Sequence, residues 1–168
     1  NVTIHWVEHY YGPERPIHRT KEVTYETASR NGEPFERLID QRELLPNPAN
    51  RMCTSELKIK VMQRFMRKLK GYENWHTAIG LRYDEPRRVA SSKRANDYER
   101  WTNITPLYDA KHTVEDVTKF WKKQNFDLKL TNADGKTPAG NCDLCFLKGM
   151  KTINSILKER PEMADWWI

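Results

Sequence analysis

Three cysteines are the residues of this chain with the most chemistry in them. Two sit three apart in NCDLCFLKG, as Cys142 and Cys145, and the third, Cys53, lies far upstream in RMCTSELK. Thiolates at that spacing grip one metal when the backbone turns between them, and a glycine just ahead eases such a turn. Spacing alone leaves three explanations open. The pair is half of a zinc or iron–sulfur site, with Cys53 as a further ligand and His76 or His112 completing a zinc set. Alternatively it is a thiol–disulfide pair, although the segment before it reads as turn rather than as the strand a thioredoxin-like motif follows. The third explanation is that the cysteines are unligated and simply packed away.

A second group is basic. Arg82, Arg87 and Arg88 flank Asp84-Glu85-Pro86 just beyond a predicted strand. Guanidinium forks hold phosphate or sulfate two-pronged, and ligands of open α/β sheets collect beyond strand ends. Lys58 and Lys60, shortly after Cys53, add positive charge to the same candidate set. The competing reading is a solvated loop whose acids and bases satisfy one another.

Something must position these groups, and 168 residues suffice for one domain with a real core. A hydrophobic share of 38% with six tryptophans is lean but compatible with a globular chain. The net charge of +6 points to a polyanionic ligand, such as a nucleotide, a phosphosulfate or nucleic acid, unless lysine-rich helices merely solubilise the domain. No run of eighteen apolar residues spans a membrane. Three cysteines, with no secretion-type leader, predict a reducing, cytoplasmic setting rather than a disulfide scaffold. In that setting the glycosylation-type triplets at Asn1 and Asn103 carry no meaning.

Alternation at Val2, Ile4 and Trp6 predicts a strand almost from the first residue. Residues 12–50 read as loops around one short helix at Phe35, Leu38 and Ile39. Cys53 opens a strong helix, capped by Thr54 or Ser55, with the stripe Leu57, Val61, Phe65, Leu69 widened by Met62 and Met66 and stopped by Gly71. NWHTAIGL predicts a short buried strand. RYDEPRRVASSKRANDYER reads as a solvent-facing loop, and NITPLYDA as an extended piece. Thr113 and Asp116 form a capping pair for VEDVTKFWKKQ, with Val114, Val117 and Trp121 inward. TNADGKTPAGN is turn-rich, and a last helix runs from Phe146 to Arg160 before Pro161. The alternation of strands, helices and loops predicts an α/β domain with a small sheet.

In this order, RMCTSELKIKVMQRFM, WHTAIGLRYDEPRR, ITPLYDAKHTVEDVTKFWKKQNFDL and GNCDLCFLKG resemble the phosphoadenosine phosphosulfate reductase family, particularly its phage-type members within the PP-loop ATP-pyrophosphatase superfamily. The likeness runs from Pro46 to Ile168, and the opening strand fits it. It implies a Rossmann-like (adenine nucleotide alpha-hydrolase-like) sheet flanked by helices over residues 1–168, with a cluster-binding loop and helix at 140–168. It also implies an adenine nucleotide or adenosine phosphosulfate as ligand, and activity as an oxidoreductase or sulfurtransferase. Relatives hold a 4Fe–4S centre on a Cys-Cys pair and a later CxxC. Here the first pair reads Met52-Cys53, so the resemblance assigns Cys53, Cys142 and Cys145 to a cluster with one iron lacking a cysteine, with zinc as the alternative. It places Arg82 and Arg88 on the substrate-arginine stretch, and Lys58 on the basic residue after the cysteine. The family's Ser-Gly-Gly-Lys-Asp-Ser phosphate loop and its Glu-Cys-Gly tail do not occur. The expectation is therefore a fragment or split polypeptide, a homo-oligomer, or a partner chain that supplies the phosphate loop. The rival reading is a nucleic-acid-binding or sulfur-modifying module with a structural metal, or a non-catalytic partner subunit.

Overall fold

The structure, a computed structural model, describes residues 2–10, 19–126 and 142–168. The turn-rich stretch TNADGKTPAGN and the Gly12-Pro13 pair lie outside the described residues. The chain divides into two compact units, Asn1–Glu73 and Asn74–Ile168.

In the first unit β1 (Trp6–His9) pairs antiparallel with β2 (Thr20–Val23), so that Trp6 faces Val23 and His9 faces Thr20. The strand begins later than the alternation predicts. Val2 and Ile4 are exposed and have no partner strand among the described residues, and alternation without a surface to cover does not hold a strand. Helix α1 (Glu33–Arg42) is the helix expected around Phe35 to Ile39. Gly32 precedes it at φ 87, a conformation open to glycine, and Pro34 lies in its first turn. Leu38 is its fully buried anchor, a contribution of about 1.5–3 kcal/mol.

The helix that carries Cys53, α2, covers residues 52–69 and is interrupted by two π-helical turns, Ser55–Ile59 and Phe65–Leu69. Each π turn adds a residue to the ladder, so the 3.6-residue row slips. The buried face accordingly runs through Met52, Glu56, Val61 and Phe65. The expected stripe is corrected at its ends: Leu57 is only half-buried, and Leu69 and Met62 are exposed. Thr54 and Ser55 lie inside the helix rather than capping it, and Ser55 Oγ donates back to the carbonyl of Met52. Gly71 ends α2 as the stripe implied: it sits at φ 74, and the Tyr72 N–H returns to the Met66 carbonyl at 2.9 Å.

The second unit contains a strand–helix–strand unit. β3 (Trp75–Ala78) runs parallel to β4 (Trp101–Ile104), in register Trp75 to Trp101 through Ala78 to Ile104. The connection is a helix, α3 (Pro86–Ala95), which corrects the reading of this segment as a loop. Proline at the first helical position needs no N–H there and presets φ, so Pro86 starts this helix rather than breaking it. β3 alternates half-buried and exposed residues, so it is not the fully buried strand expected. Trp75 and Trp101 stack across the pair with centroids 5.6 Å apart and planes 18° apart. NITPLYDA divides into the end of β4 and a one-turn helix α4 (Pro106–Asp109).

Helix α5 (Val114–Lys122) opens as its sequence implied, with Asp116 Oδ2 accepting from both the backbone N–H and the hydroxyl of Thr113 at 2.9 Å. Val114 and Val117 are half-buried, but Trp121 is 50% exposed, which corrects its inward placement. The last helix, α6 (Met150–Glu159), starts four residues later than predicted, with turns over 146–148. A 3₁₀ segment, Pro161–Trp167, follows it. The fold is thus mixed α/β, and the described residues form two small two-stranded sheets where a single small sheet was expected. No helix among the described residues is long and apolar enough to cross a membrane.

Candidate functional site

The parallel pair defines the site's position. β3 and β4 both point their carboxyl ends toward the segments that carry the predicted arginines. After β3 the Ile79 N–H donates to the Ile104 carbonyl at 2.9 Å, extending the pairing, and Leu81 is buried. From there the chain turns through Arg82 to Glu85 into α3. The Tyr83 N–H donates to the His112 carbonyl at 2.8 Å, which ties this turn to the segment beyond β4.

Glu85 organises the arginines. Its Oε2 accepts the Arg82 backbone N–H at 3.1 Å and lies 3.6 Å from the Arg82 guanidinium, while its Oε1 is paired with Arg88 Nη1. Asp84 takes the Arg82 Nε at 3.1 Å. Burial pushes the Glu85 carboxyl up, but the Arg82 N–H and the Arg88 guanidinium outweigh it and hold it below the usual glutamate value. The acids and bases of this turn therefore do pair with one another. They do so without exhausting the donors, because a guanidinium offers five N–H groups and the Arg88 side chain is 70% exposed. Arg87 is exposed and makes no ion pair among the described residues.

Polar and aromatic groups line the adjoining segment. Tyr83 and Tyr108 have ring centroids 5.4 Å apart, and the Lys93 ammonium lies 5.6 Å over the Tyr108 ring and 3.8 Å from Asp109. Thr105 is fully buried where β4 ends, and its hydroxyl has no hydrogen-bond partner among the described residues. Nothing in the spacing of Tyr83, Tyr108 and Thr105 announces them. They come together only because two strands run parallel.

The cysteines are distributed differently. Cys142 is exposed and Cys145 half-buried, in the turns ahead of α6, and the Lys148 N–H closes one of these turns on the Cys145 carbonyl at 2.8 Å. Two thiols across a turn suit a metal half-site. Cys53 and Lys58 belong to the first unit, on α2, and Lys58 is exposed. Among the described residues no group of three or more His, Cys, Asp or Glu side chains converges as a metal site.

A second charged cluster, unforeseen in the sequence, lies in the first unit. Glu56 is buried with a 4% exposed side chain, and takes Lys60 at 2.7 Å, Arg42 at 2.9 Å and Arg64 at 3.7 Å. Burial raises the Glu56 carboxyl, and the Lys60 hydrogen bond with the three cations more than reverses it. Close by, burial and then the Arg64 charge lower the His9 imidazole to about 4.

Comparison with known proteins finds a sequence relative of viral origin. The chain is 30% identical over 114 residues to the uncharacterized nin region protein ORF290 of Escherichia phage lambda. The aligned part is 68% of this chain and 35% of that protein, so the chain spans about a third of the relative's length. No protein-family model matches the chain, and no solved structure matches it.

Proposed function

We propose that this chain is a phosphoadenosine phosphosulfate reductase-like domain, with a Rossmann-like core, acting in sulfur chemistry on an adenine nucleotide or adenosine phosphosulfate. The observation that carries the reading is the strand–helix–strand unit with Arg82, Arg87 and Arg88 beyond the carboxyl end of β3. Parallel strands joined by a helix collect anionic ligands at that edge. In this reading Arg82 and Arg88, oriented by Glu85 and Asp84, present their remaining N–H groups to the phosphosulfate end of the ligand, and Arg87 adds charge at the rim. Cys53, Cys142 and Cys145 would hold a 4Fe–4S cluster, or zinc as the alternative, and the cluster would supply redox or sulfur-carrying chemistry. In this reading a partner chain supplies the phosphate loop that the family uses.

Titration calorimetry tests the nucleotide reading. Adenosine 3′-phosphate 5′-phosphosulfate is expected to bind in preference to adenosine. Arg88→Ala should weaken it roughly tenfold or more, the weight of a charge-assisted hydrogen bond. Equal affinity for the two ligands, or an Arg88 variant that binds like the wild type, would falsify this assignment.

A further inference from the structure

The strongest feature outside that site is at the end of α5. Phe120, Trp121 and Phe126 are 57%, 50% and 61% exposed. They form a chain of edge-on contacts, with centroids 5.4 Å apart for Phe120 and Trp121 and 5.7 Å for Trp121 and Phe126. Lys119, Lys122 and Lys123 interleave with them, all exposed, and no carboxylate occurs between Val117 and Phe126, Asp127 being the first to follow in the sequence. Other exposed aromatics lack this setting. Tyr25 is engaged by Trp6 and Arg30, and Tyr98 stands between Asp97 and Glu99.

We propose that this end of α5, with Phe126, is a stacking platform for single-stranded nucleic acid. Three half-open rings offer apolar faces to unpaired bases, and three lysines beside them match a phosphate backbone, the combination by which strands are held without sequence readout. A duplex keeps its base faces inside, so it can use the lysines but not the rings. A membrane surface is the poorer match. α5 has nine residues, and its exposed apolar groups are the aromatics of one end rather than a long apolar face. This platform does not depend on the nucleotide site at β3 and β4.

Fluorescence anisotropy with a labelled fifteen-residue oligothymidylate, against a duplex of equal length, tests the proposal. The single strand is expected to bind more tightly, and Trp121→Ala to weaken it roughly five- to hundredfold. Replacing Lys119, Lys122 and Lys123 with glutamine should flatten the log–log salt dependence by about 2. Equal binding of the duplex overturns the proposal, as does an unchanged affinity in the Trp121 variant. Preference for anionic vesicles, or a self-association that Trp121→Ala abolishes, also overturns it in favour of a membrane or a second copy. If Trp121→Ala melts well below the wild type, the ring serves the fold. The lysine variant then decides alone, and an unchanged salt slope in it ends the idea.

Discussion

At the scale of single residues, the first unit keeps an imidazole and a carboxylate where water is scarce. His9 has its pKa lowered to about 4 from 6.5, first by burial and then by Arg64, with Arg19 adding to it and Glu56 opposing it. In the unfolded chain it titrates near 6.5. A group with a lowered native pKa adds stability that is complete above its unfolded value and is lost as pH falls through the native one. Between pH 6.5 and about 4 the unfolded chain therefore binds a proton that the native chain refuses. Urea midpoints should fall across that window, by at most about 3 kcal/mol in stability. In His9→Gln the fall should be visibly shallower, and an identical slope in wild type and variant would contradict the buried neutral ring. None of this was legible in the sequence. His9 and Glu56 stand in the sequence like any surface polar residue, and no residue pattern tells which polar group a π turn or a strand pair will bury.

Among the elements, α3 is the lesson. Its sequence has good helix formers but only one buried apolar residue, Val89, so hydrophobic periodicity had little to register. What holds it to β4 is polar. The Asn96 side chain accepts the Asn103 N–H at 2.8 Å and donates to its carbonyl at 3.2 Å, while the buried Asn103 amide donates to the Ser92 carbonyl at 3.0 Å. Asn96 thus occupies backbone groups of β4 that β3 does not use, in place of another strand. Asn96→Ala leaves both without a partner and should cost about 1–3 kcal/mol, read from denaturant unfolding. The Asn103 amide should lose hydrogen-exchange protection ahead of the rest of β4. By contrast Thr113 with Asp116, and Gly71 after α2, were readable in advance. Caps and stops are local: the residues that make the bonds lie within a few positions of one another.

For the whole molecule, the proposed assignment of Cys53, Cys142 and Cys145 to one metal centre carries the sharpest expectation. If they share a cluster, anaerobic reconstitution should load about four irons per chain. Cys53→Ala and Cys145→Ala should then each lower the iron content severely. Full loading of Cys53→Ala would remove that residue from the site, and one zinc per chain in its place would leave a structural metal. By itself the sequence determined the basic balance, the odd cysteine count, the helices with strong apolar rows or local caps, and the general α/β layout. These follow from composition or from neighbours in the chain. Only tertiary structure decided that β3 and β4 run parallel with a helix between them, and that Arg82 and Arg88 share Glu85 beyond their end. It also decided that Glu56 faces inward among three cations and that Trp121 faces out. The physical reason is the same in each case: a side chain's environment is set by the element packed against it, and that element is specified by residues distant in the sequence.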